Sequence, residues 1–157
     1  MAQDLGLDLV QTSAHIGARP QHQAWQGKVF SLSGKSMKYP ALSDPQEAGG
    51  TGYGTAEGLC GCNCRHHFFP YAEGFKPTDY GIDISPAENE EIYNATQKQR
   101  LYERNIRSWK RTEKVAEDNG KSHDIKTARE RIRGYQKALR ELCDKYNLPS
   151  EYARERV

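Results

Sequence analysis

Twelve of the fourteen glycines and five of the seven prolines fall before residue 85, so the chain changes character there. A half so rich in turn formers builds loops and short strands, whereas the remainder is free to form long helices. The two halves also differ in charge. Residues 1–84 carry six Lys/Arg against eight Asp/Glu, and residues 85–157 carry seventeen against thirteen, within a net charge of only +2. With 36 % hydrophobic and 28 % charged residues in 157, the core must be small. No apolar run approaches the length of a membrane span, and Met-Ala-Gln-Asp-Leu-Gly at the start lacks the basic and apolar regions of a secretory signal. The expectation is a soluble protein that is not secreted.

The boundary is a helix start. Ser85 precedes Pro86, and Glu88 follows three residues after Ser85, the pattern of an N-cap, a first-turn proline and a capping box. Ile92, Ala95, Gln99, Tyr102, Ile106 and Trp109 then share one face at steps of three and four. Glu117-Asp118-Asn119-Gly120 stops that helix. Ile125, Ala128, Ile132, Tyr135, Leu139, Leu142 and Tyr146 continue the same rhythm until Asn147-Leu148-Pro149 ends it. Two such seams joined by a short connection predict an antiparallel helical hairpin, with a last turn at 150–156. Cys143, beside Leu142, reads as a small core residue. Before residue 85, Leu7–Thr12, Lys28–Leu32 and His67–Tyr71 are strand candidates, and a short helical turn is expected from His22 to Gly27. The fold class is therefore α+β, with a Gly-rich module at 1–84 and a helical hairpin at 85–157, packed as one unit.

Two clusters carry chemistry. Leu59-Cys60-Gly61-Cys62-Asn63-Cys64-Arg65-His66-His67 holds three of the four cysteines and two histidines in nine residues. Thiolate with imidazole suits zinc, which takes four tetrahedral ligands, whereas a disulfide, the lesser alternative, is rarely met at such spacing and would leave one of three thiols free. Reduced structural or reactive thiols are the competing reading. A fourth ligand from elsewhere would turn attention to His15 or His22, although a lone histidine is more often an ordinary polar residue. The second cluster is a basic row on the first long helix: Arg100, Arg104, Arg107, Arg111 and Lys114, spaced by four, three, four and three. It could meet phosphate or an acidic protein. Alternatively it is a solvated face partly neutralised by Glu103, Glu113 and acids of the second helix.

The stretch from Ser13 to Phe30, with Gly52-Tyr53-Gly54-Thr55, Gly58-Leu59-Cys60-Gly61 and Asn63-Cys64-Arg65-His66, resembles the C-terminal part of the phage minor capsid protein 2 family. The helical half, through Gln97-Lys98-Gln99-Arg100 and Glu103-Arg104-Asn105-Ile106-Arg107, is similar as well. More distantly the chain resembles phage Mu-type head-morphogenesis proteins, in which the stretch matching Asn63–His66 tends to read Asn-Cys-Arg-Cys. That resemblance implies Cys60, Cys64 and His66 as zinc ligands, closed by His22, with Cys62 and His15 in reserve. A site with four protein ligands is structural rather than catalytic. The implied role is non-enzymatic head assembly, in the virion or the host cytoplasm, with portal or coat protein and packaged DNA as partners. No membrane and no small-molecule substrate is implied.

Family members carry a large region ahead of this one. A chain starting here would then be free-standing, which makes an anti-defence inhibitor of anti-CRISPR type, bound to a host nuclease complex, the second expectation. An HNH-like nuclease, with Asn63 orienting a histidine-activated water, is a third. Its metal would be expected to have carboxylate ligands, and no acidic residue adjoins the histidines.

Overall fold

The computed structural model describes residues 7–157. Residues 1–6, on which the absence of a secretory signal partly rests, lie outside it. The described residues contain three short strands, one single-turn α-helix, two long α-helices and two short 3-10 turns, so the protein is α+β. The chain divides into two compact units, one reaching to Tyr93 and the other Asn94–Val157.

In the first unit, β1 (Leu9–Thr12) is the central strand of an antiparallel sheet, between β2 (Val29–Ser31) and β3 (Phe68–Pro70). The register places Val10 opposite both Phe30 and Pro70. All three strands fall within the segments marked by their β-branched and aromatic residues. Gln11, beside Val10, is also buried: its amide donates to Gly27 O and Thr78 O and accepts from Thr78 N. A buried amide is tolerated when every polar group finds a partner. Val10, Trp25, Phe30, Leu42 and Leu59 form the core, with Cys64 and Phe68 packed against it. That apolar cluster is small for a unit of this length, so its many loops need another source of order.

The single-turn helix α1 (Pro20–Gln23) begins two residues before His22, because Pro20 takes the first helical position after an extended Arg19. It ends through His22 O, which accepts from Trp25 N and Gln26 N, and Gly27 takes the positive φ that turns the chain into β2.

Helix α2 (Pro86–Asp118) opens with the expected capping box. Ser85 Oγ accepts from Glu88 N at 3.2 Å, and Glu88 Oε2 accepts from Ser85 N at 2.8 Å. These bonds hold the Glu88 carboxyl below its ordinary range. In its first turns, buried Asn89 accepts from Gly17 N (2.8 Å) and Ala18 N (3.2 Å) and donates to Ala18 O (2.8 Å). Asn89 thereby fixes the turn that leads into α1.

In the second unit, α2 meets α3 (Ser122–Tyr146) along Ile106, Ile132, Leu139 and Cys143, with Tyr102, Trp109, Tyr135 and Leu148 around them. Cys143 is a core residue. Asn147 adopts the left-handed conformation that closes α3, and a 3-10 turn follows at Tyr152–Glu155.

One seam position is acidic. Glu103 is 3 % exposed and its Oε1 has no hydrogen-bond partner. Burial raises its pKa against the pull of Arg154 and Arg107. A carboxyl whose folded pKa is raised stabilises fully below its unfolded value near 4.5, and that contribution is lost as pH rises through the folded value. Glu103→Gln should therefore raise the melting temperature at pH 7 by roughly 4 °C, the equivalent of about 1 kcal/mol. The gain should shrink at pH 4 in thermal melts followed by circular dichroism.

Candidate metal centre

The cysteine loop is shaped by backbone before its side chains act. Cys60 and Asn63 both have positive φ, which costs energy for residues with a Cβ. The strain is offset by a dense set of local bonds: Gly61 N to Gly58 O, Cys62 N to Ala56 O and Cys64 N to Gly61 O. Gly58 is obligatory here, since an added Cβ would lie 1.9 Å from Gly52 O. Arg19 ties α1 to this loop by donating to Glu57 O (3.3 Å) and Cys62 O (3.1 Å).

This scaffold brings His22, Cys64 and His66 together, their ligating atoms all within 4.8 Å of one another. His22 is 2 % exposed and His66 is 4 % exposed. His22 Nε2 donates to Glu57 O at 2.8 Å, and His66 Nε2 donates to Gln26 Oε1 at 3.1 Å. Both acceptors are carbonyl oxygens, so each ring carries its proton on Nε2 and turns the lone pair of Nδ1 toward Cys64 Sγ. The Sγ–Nδ1 separations are 3.9 Å to His22 and 3.7 Å to His66. Zn–S and Zn–N bonds of about 2.3 and 2.05 Å at a tetrahedral angle would put these atoms about 3.6 Å apart. The donor set therefore fits zinc, and the anchored Nε2 atoms are the outer hydrogen bonds that zinc-binding imidazoles generally make.

Electrostatics agree with the geometry. Burial lowers both histidines, and His66 falls to about 3, helped by His15, His22, Arg65 and His67 around it. Both rings are thus neutral, as a ligand must be. Trp25 walls the pair, its ring 4.7 Å from each imidazole.

The other sequence candidates lie around this group rather than in it. The sulfur of Cys60 donates to His66 O at 3.7 Å, and desolvation together with the Cys64 charge raises its pKa. Cys62 is exposed and contributes through its backbone. His15 stacks on His66 at 4.2 Å; its Nδ1 contacts Ile16 O, and its buried Nε2 has no partner. Gln26 and the carbonyl of Glu57, which orient the two imidazoles, carry no sequence signal of that role. An amide and a peptide carbonyl look alike wherever they stand.

On α2, the basic row divides. Arg107 donates to Arg154 O and Lys110 donates to Glu155 O, both engaged by the C-terminal turn. Arg104, Arg111 and Lys114 are exposed. Glu113 and Glu117 pair instead with Arg129 of α3, at 2.6 and 2.8 Å.

A small α+β protein with a thiolate–imidazole cluster beside its sheet and a basic helical hairpin is the class these features define. The phage minor capsid protein 2 family model matches residues 1–144, and the chain belongs to that family. It is 33 % identical over 160 residues to a "Structural protein" of Lactococcus phage LL-H, covering 97 % of this chain and 41 % of that protein. It is 34 % identical over 123 residues to a "Structural protein" of Lactococcus phage mv4, covering 76 % of this chain and 93 % of that one. The chain thus spans less than half the length of the LL-H relative. No solved structure matches. Among the described residues no helix is long and apolar enough to cross a membrane.

Proposed function

We propose that the chain is a non-enzymatic structural component of a phage particle whose first unit is locked by zinc and whose helical unit meets neighbouring components of the virion. The family match and the "Structural protein" relatives support the particle role. The observation that carries the metal reading is the pair of Nε2-anchored imidazoles facing one buried-side thiol. His22, Cys64 and His66 would hold the ion, and Cys60, whose sulfur lies beside the His66 carbonyl, would complete the set by a side-chain rotation. Bound there, zinc would cross-link α1, the cysteine loop and the entry to β3, order that the small apolar core supplies only weakly.

A nitrogen- and sulfur-rich set without a carboxylate suits this structural role better than phosphodiester hydrolysis. The comparisons lend no support to an anti-defence inhibitor. Peptide mass spectrometry of purified particles tests the assignment: the chain should be present in them, and the tagged full chain should co-purify portal or coat protein. Absence from particles, with recovery of a host nuclease complex instead, would overturn it.

A further inference from the structure

We infer that the exposed basic row of α2 is a binding surface for the phosphate backbone of duplex DNA. This rests on the reading that the chain is a particle component that makes its contacts through the helical unit. Arg100, Arg104, Arg107, Arg111 and Lys114 lie on one side of α2 and span fourteen residues, a straight line of about 21 Å. A solvated, self-neutralised face would show its cations paired with neighbouring acids. Here two nearby acids are otherwise engaged, Glu113 and Glu117 binding Arg129, while Glu103, buried in the hairpin seam, interacts with Arg100 and Arg107 alone of the row. Among the described residues Arg104, Arg111 and Lys114 have no carboxylate partner, so this side of the helix keeps its positive charge.

The choice between a polyanion and an acidic protein follows from what lies beside the row. Protein interfaces draw their affinity from clustered aromatic and apolar anchors. On α2 itself the exposed apolar residues, Leu101 and Val115, stand fourteen positions apart with Arg104, Ser108 and Arg111 between them, and Tyr152, an exposed aromatic of the C-terminal turn, lies beneath the Lys110 ammonium, 5.7 Å from its ring. A linear row of arginines with a single aromatic beside it, rather than a clustered apolar centre, matches instead a linear polymer of phosphates, which guanidinium groups bind in bidentate fashion. Duplex DNA offers one charge per about 1.7 Å and no requirement for sequence. Arg107 and Lys110 are held by the carbonyls of Arg154 and Glu155, which leaves Arg104, Arg111 and Lys114 as the principal contacts.

The test is fluorescence anisotropy of the full chain with a labelled random-sequence duplex, across 50–200 mM NaCl. The parent should bind at low salt. The triple variant R104Q/R111Q/K114Q, verified as folded by circular dichroism, should lower the slope of log K against log salt by roughly 2.7, from three contacts at about 0.9 each. A control, K126Q/R133Q/R140Q, removes the same charge from exposed positions of α3 and should keep the parent slope. No binding at 50 mM NaCl, or an equal loss in the control, overturns the inference. Loss of portal or coat capture in the stripe variant, with no DNA binding by the parent, also overturns it but leaves the particle role standing. Absence from particles is the separate failure of that role.

Discussion

Cys64→Ala is expected to unfold the first unit while the helical hairpin persists. Cys64 supplies the sulfur that both imidazoles face, and it also packs against the core of Val10, Trp25, Phe30, Leu42 and Leu59. Structural zinc contributes about 10 kcal/mol or more to folding, comparable with the whole stability of about 5–15 kcal/mol typical of a domain. So small an apolar cluster cannot make good that loss. The far-UV helical signal, most of which comes from α2 and α3, should fall only modestly. Amide protection in β1, β2 and β3 should disappear, and excess chelator should reproduce both effects in the parent protein. A chelated parent that keeps strand protection would separate the metal from the fold.

The second large effect is expected at Trp25. It is 1 % exposed, it belongs to the core, and its ring lies against both His22 and His66. Removing a buried tryptophan typically costs about 3–5 kcal/mol through lost burial and the cavity left behind. At this position the cavity would open beside the imidazoles, so Trp25→Ala should also weaken zinc binding, where a distant core variant of equal cost would not. Trp25→Phe keeps much of the wall and should recover most of both. Denaturant melts and zinc competition titrations read the two quantities separately. Stability lost with zinc affinity unchanged would show that the wall does not position the ligands.

Much of this architecture was legible along the chain because the relevant signals are local. Short apolar runs marked all three strands, and Ser85-Pro86 with Glu88 marked the start of α2 through a bond pattern completed within four residues. The hairpin seam was visible, including the polar place at Gln99, which is buried and donates to Pro149 O. What stayed hidden depends on long-range geometry. Asn89 reads as an ordinary helix surface residue, yet it is buried because the turn at Gly17 and Ala18 closes over it. Leu42 and Leu59 sit in loops with no periodicity, and only the folded chain brings them under the sheet. In the candidate site, residue types announced a thiolate–imidazole cluster, but the order of proximity differed from the order of spacing. His22, forty-two positions before Cys64, comes within 3.9 Å of it, whereas Cys60, four positions away, turns its sulfur to a carbonyl. The positive φ at Cys60 and Asn63 explains this, since it aims neighbouring side chains in directions that spacing alone does not encode.

The central claim is that His22, Cys64 and His66 are ligands of one zinc ion. Elemental analysis of the full chain, purified without chelator and exchanged into metal-free buffer, tests it most directly when paired with His22→Ala, Cys64→Ala, His66→Ala and Cys62→Ala. The account predicts about one zinc per chain in the parent and in the Cys62 variant, and loss of the ion in each of the other three. A parent without zinc, or an ion retained after either histidine is removed, would contradict it.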